Sequence, residues 1–194
     1  MTRILPAEGP AEIWAHYPPD DAVDAVTGAR WYYHCHPPGE RAADEHGHFH
    51  LFLDRSDFNR KTKAFARPRG RASLRADVVH IAALTVNMDG LPTRLFTTNR
   101  WVTDEWLFPA ADITQRLSRY SLARAPGDPV VNSWLTAAVA LFTPEIQQAL
   151  ALRDTALKLA QANGGTGDIF EDRDLEVLSS LDLDLDAAAS EALG

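Results

Sequence analysis

Cysteine is almost missing from this chain: Cys35 is the single thiol among 194 residues, so no intrachain disulfide can form and a reducing, cytoplasmic setting is expected. Long apolar runs are missing as well. None approaches the ~20 residues of a membrane-spanning helix, and the N-terminal MTRILPAEGPAEIW has no apolar stretch resembling a signal peptide. No internal repeat is visible. What is present is globular composition, 45% apolar with five tryptophans and eight phenylalanines, which is enough to build one core without cross-links.

The net charge of −8 is unevenly placed. From Asp168 onward there are nine acids against one base, Arg173, so residues 1–167 are close to neutral. The expected organisation is therefore a single α+β domain over 1–167 followed by an acidic appendage over 168–194, either one or two leucine-docked helices or a partly ordered arm.

Within the domain, residues 10–28 read as a short helix and turn broken by Pro18-Pro19. The aromatic run Arg30-Trp31-Tyr32-Tyr33-His34-Cys35-His36 reads as a strand closed by Pro37-Pro38-Gly39, and 46–54, HGHFHLFLD, as its antiparallel partner. The basic segment 55–76 reads as an exposed excursion. Residues 78–86 are almost continuously apolar, as in a central strand, and Asp89-Gly90 turns the chain into another strand over 93–98. These make a mostly antiparallel sheet of about four strands within 30–106. Helices are expected near 110–120, over 130–142, and from a Thr143-Pro144 start to an Asn163-Gly164-Gly165 stop, packed on one face of the sheet.

Six of the seven histidines fall on these strands. Side chains two apart share a strand face, so His34 goes with His36 and His48 with His50, while Phe49, Leu51 and Leu53 point the other way. His46 extends the row. If 30–36 and 46–54 are partners, several imidazoles converge, and His80 joins if its strand is adjacent. Imidazole is the commonest metal ligand, and a nitrogen site suits iron, copper or zinc rather than magnesium or calcium. Candidate metal ligands are thus His34, His36, His46, His48 and His50, for one transition metal ion. Glu40 and Glu45, in the connecting loop, are candidates for a general base or for ligand support. His16 reads as a surface residue. Three ligands with an open position would make a small metalloenzyme, oxidoreductase or hydrolase, acting on a small-molecule substrate; a closed set of four would make a metal-binding or carrier protein.

His46-Gly47-His48-Phe49-His50-Leu51-Phe52 resembles the signature of the histidine triad nucleotide hydrolases and transferases, which implies His48 as a nucleophile toward phosphorus. His48-x-His50-x-x-x-Asp54 resembles part of the cupin metal motif, with aspartate in place of the usual glutamate. Over most of its length, and particularly in Tyr33-His34-Cys35-His36-Pro37-Pro38-Gly39-Glu40-Arg41, Glu45-His46-Gly47-His48-Phe49-His50 and Thr98-Asn99-Arg100-Trp101-Val102-Thr103, the chain is similar to an uncharacterised bacterial protein family of about 200 residues. That likeness implies no activity.

Asn99, Arg100 and Trp101 are the candidate substrate-binding residues, an arginine to grip an anion and an indole to stack on a ring. The alternative is that the indole is core and Arg100 an ion pair. The basic segment invites a test for nucleic acid, but the near-neutral domain, the acidic tail and the sparse aromatics, Phe58 and Phe65, argue against it. Attraction between that segment and the acidic tail, within one molecule or between two copies of a homo-oligomer, is the sharper expectation. Cys35 should face away from its neighbouring histidines and be buried as a small apolar residue.

Overall fold

A computed structural model describes residues 12–70, 77–163 and 167–194. Six strands form one antiparallel sheet in sequence order: β1 (Tyr17–Val23), β2 (Arg30–His34), β3 (Gly47–Asp54), β4 (Val78–Val86), β5 (Pro92–Thr98) and β6 (Val177–Asp182). The four strands expected from alternation and turn chemistry are β2 to β5, and Gly90, at φ 83°, makes the β4–β5 turn that Asp89-Gly90 signals. The helices are α1 (Arg100–Thr103), α2 (Ala110–Thr114), α3 (Pro129–Leu141), α4 (Thr143–Ala162) and α5 (Leu185–Leu193). This is an α+β fold with the helices behind an open meander. It does not close into the barrel that a cupin likeness implies.

One face of the sheet carries Trp31, Tyr33, Phe49, Leu51, Leu84 and Leu95 into a core completed by Leu135 and Val139 of α3 and Ile146 and Leu150 of α4. Fully burying each such side chain contributes about 1.5–3 kcal/mol, so this layer holds the fold. Asp128 caps α3 by accepting from Val130 N–H at 2.7 Å. Thr143 does not cap α4 as its sequence position suggests; its hydroxyl donates back to the Val139 carbonyl at 2.9 Å, tying the two helices together.

Two edges depart from the sequence expectations. Residues 17–23 form β1, not the expected helix and turn. The acidic segment supplies β6, which pairs with β5 from Arg94↔Asp182 to Thr98↔Val177, and α5, which packs on α3. Leu178 of β6 is buried, and Ser179 donates to the Ala149 carbonyl at 2.8 Å and bonds Thr97 at 2.6 Å.

Part of the basic segment is engaged within the molecule. The Arg55 guanidinium lies over Trp106 and Phe108, at 4.7 and 5.0 Å from the ring centroids. Arg69 pairs with Asp168 and Glu171, as expected for attraction between the basic segment and the tail. Arg71 and Arg75 lie outside the described residues. No single described helix is long and apolar enough to cross a membrane.

Candidate metal centre

The other face of the sheet bears the histidines. β2 and β3 pair with His34 opposite His48 and Tyr32 opposite His50, which places three imidazoles side by side. His48 and His50 are buried, and His34 is partly so. The ligand nitrogens of His34, His48 and His50 all lie within 4.8 Å of one another. The Nε2 atoms of His34 and His48 are 2.7 Å apart. Metal–nitrogen bonds of about 2.0–2.1 Å in a tetrahedral set put ligand nitrogens roughly 3.4 Å apart, so small ring rotations bring the three into register around one ion.

Each buried ligand candidate is held from behind. His48 Nδ1 bonds Glu45 Oε1 at 2.9 Å, and His50 Nδ1 bonds His80 Nε2 at 3.0 Å, with Thr98 Oγ1 at 3.4 Å from His80 Nδ1. With Nε2 of His48 and His50 as the ligating atoms, His48 Nδ1–H donates to the carboxylate and His50 Nδ1–H to His80. Such partners fix the ring orientation and tautomer of metal-binding histidines. Burial pushes the Glu45 carboxyl up, but its hydrogen bond to His48 and the charges of His48, His36 and Arg94 outweigh this and hold it below the ordinary value.

His80 reaches this face because of a β-bulge. Along β3 and β4 the pairing runs His48↔Thr85, Phe49↔Leu84, His50↔Ala83 and Leu51↔Ala82, then slips so that Phe52 faces His80. Without the slip Phe52 would face Ile81 and His80 would point into the helix layer. The extra residue in β4 turns it over.

The remaining expected residues divide. His36 Nε2 is 3.2 Å from His34 Nε2 and lines the same pocket, but it is outside the group of three; burial and the proximity of His48 hold its ring below the ordinary histidine value. His46 precedes β3 and turns to the Tyr33 hydroxyl, away from the cluster. Gly47 permits that contact, since a side chain there would lie 2.5 Å from the His34 carbonyl oxygen as well as on the Tyr33 ring. Glu40 sits exposed on the pocket rim. His16 is not simply a surface residue: it stacks on Tyr32 at 4.1 Å and forms part of the pocket wall. Cys35 is buried as expected.

The three histidines sit in the floor of a cavity of about 1170 Å³, which is large enough for a small organic molecule. Its walls come from Trp14 and Tyr32 on one side and from Arg94, Phe96 and Trp101 on the other. Of the three expected substrate-side residues, Trp101 alone lines it. Its Nε1–H donates to the Asp172 carbonyl at 2.7 Å, so the ring is fixed. Asn99 caps α1 and donates to the Ile169 carbonyl, and Arg100 is buried between Asp104 and Glu171.

Sequence reasoning missed Thr85 and Arg94, which line the pocket, and Glu105, which is buried against the His80 backbone. Glu105 is fully buried and accepts from the His80 backbone N–H at 2.6 Å; burial pushes its carboxyl up to about 8, against the opposing pull of Arg153 and that hydrogen bond.

An antiparallel sheet with a three-histidine cluster in an open pocket is a frame on which a mononuclear metal site can be built. The chain belongs to the family DUF6969, a domain of unknown function, whose profile matches residues 1–183. No curated protein and no solved structure matches it.

Proposed function

We propose that this protein is a metal-dependent enzyme that acts on a small molecule at a mononuclear centre held by His34, His48 and His50. The observation that carries this reading is the convergence of three imidazole nitrogens within 4.8 Å on the floor of an open pocket, two of them braced by Glu45 and His80. Neutral nitrogen ligands suit zinc, iron or copper. Three protein ligands leave a position for water or substrate, where such an ion acts as a Lewis acid and lowers the pKa of bound water toward 7, or exchanges electrons if it is iron or copper. Glu45, kept ionised by His48, steadies that ligand. Glu40, exposed at the rim with Asp174 and Glu176, is a carboxylate placed to take a proton from an entering substrate. The single buried thiol, Cys35, suits a cytoplasmic location.

A second reading is a closed, non-catalytic site completed by His36, favoured by its 3.2 Å approach to His34. Cobalt(II) substitution separates the two. In an open site the visible spectrum changes when azide is added, because an exchangeable position exists. A spectrum indifferent to azide and lost on His36→Ala supports the closed site, and failure to take up cobalt at all contradicts both.

A further inference from the structure

Beside the histidines lies a polar row that the metal reading leaves unexplained. Cross-strand pairing sets His48 opposite Thr85, Thr85 opposite Arg94, and Arg94 opposite Asp182, so these side chains form one line across four strands. Neighbouring strands are about 4.8 Å apart, which puts Thr85 one step and Arg94 two steps from His48. Thr85 and Arg94 both line the pocket. Thr85 is 1% exposed, and its buried hydroxyl has no hydrogen-bond partner in the protein. A buried hydroxyl without a partner carries a desolvation cost that a bound polar group would remove.

Arg94 is only lightly held. Its Nε donates to Asp182 at 3.0 Å, but the Asp182 side chain is 86% exposed, and an ion pair to so exposed a carboxylate is worth little. A ligand carboxylate can replace it at small cost and gain a forked guanidinium contact. The acids around the pocket set the cost: the ionised Glu45 shares the field of Arg94, so an entering carboxylate competes with it for that charge. Glu45 is committed to His48, while Glu40, Asp174 and Glu176 are exposed on the rim, where water and salt screen them. Next to Arg94 on the floor, Phe96 presents an apolar wall, 4.9 Å from the His48 ring centroid.

Building on the metal-site reading, we infer that the pocket takes a small carboxylic acid, its carboxylate held by Arg94 and the Thr85 hydroxyl, its adjoining carbons over the three histidines and against Phe96. Arg94 supplies charge and a planar fork, and Thr85 the short hydrogen bond that fixes how far the acid reaches toward the histidines. A neutral sugar, or the amide of the same acid, forgoes the charged contact with Arg94.

The test titrates the zinc-loaded protein with acetate, lactate and benzoate, each against its own amide, by calorimetry and ligand-observed NMR. At least one acid binds about tenfold or more tighter than its amide, the loss expected when a charged hydrogen bond is removed. Arg94→Gln abolishes that preference, Arg94→Lys restores part of it, and Thr85→Val weakens the acid several-fold, each variant being compared folded and fully zinc-loaded. Acids and amides binding alike, or an acid preference that survives Arg94→Gln, overturns the inference; in the latter case the metal alone selects the carboxylate. Zinc uptake is measured in parallel. A wild-type protein that takes no zinc contradicts the metal site. The acid-over-amide preference is then read on the metal-free protein, where Arg94 and Thr85 still produce it if the inference holds and no preference is found if it fails.

Discussion

Replacing Glu45 by glutamine should weaken metal binding about 10–100-fold while leaving the protein folded. Glu45 Oε1 stands 2.9 Å from His48 Nδ1, and the two side chains are 9% and 5% exposed, so the contact is shielded from solvent and keeps most of its strength. A hydrogen bond to a charged partner contributes about 1.5–3 kcal/mol, and each 1.4 kcal/mol is a factor of ten in affinity, which gives the stated range. Glutamine keeps an acceptor for His48 but removes the charge that favours a cation nearby, whereas Glu45→Ala also frees the ring to rotate. Affinity should therefore fall in the order wild type, Gln, Ala. Competition with a chromophoric chelator at fixed pH measures it, with thermal melts as the check on folding. The same pair has a signature in the metal-free protein: because the folded carboxyl lies below its ordinary 4.5, its contribution to stability is present above pH 4.5 and is lost as pH falls through the folded value. If both variants bind metal within twofold of wild type, His48 is not a ligand oriented by Glu45 and the reasoning fails.

Three further outcomes are expected. Deleting 177–194 removes an edge strand, a buried Leu178 and the Ser179 bonds to Thr97 and Ala149, a loss of roughly 4–6 kcal/mol that chemical denaturation would register; a change under about 1 kcal/mol would mean that the acidic segment is the dispensable appendage its composition suggests. Glu105 has its carboxyl raised from 4.5 to about 8, so the folded state binds the extra proton and stability should decline as pH rises between those values; Glu105→Gln should flatten the decline and add about 1–3 kcal/mol at pH 8, and an unchanged pH profile would contradict the burial argument. Affinity for DNA or RNA should be weak and vanish at modest salt, since Arg55 and Arg69 are occupied within the molecule; gel shifts that persist with sequence preference at physiological salt would show otherwise.

The central strands could be read from the sequence because local rules agree there: alternation in 46–54, an apolar run in 78–86 and a turn-forming Asp89-Gly90. The edges could not. Tyr17-Pro18-Pro19-Asp20-Asp21 carries the prolines and acids that edge strands tolerate, and these same residues read locally as a helix end and turn. β6, Val177-Leu178-Ser179-Ser180-Leu181-Asp182, has no clean alternation of its own, and its strand state depends on β5 beside it. In the site, the i, i+2 spacing of His48 and His50 and their pairing with His34 follow from the strand period alone. His80 required a bulge, and Thr85 and Arg94 required the register of three strands; neither is encoded by spacing. Asn99 and Arg100 show the converse. Residues chosen for their chemistry at a strand end serve there as a helix cap and a buried ion pair.

The most direct test of the metal centre is elemental analysis and calorimetry on protein purified without an affinity tag and supplied in turn with zinc, iron and copper, beside the His48→Ala/His50→Ala double variant. One transition metal ion per wild-type chain is expected, and none in the double variant, whose helix-face core of Phe49, Leu51 and Leu84 should keep it folded. A wild-type protein that stays metal-free under all three conditions, or a double variant that retains the ion, would contradict it.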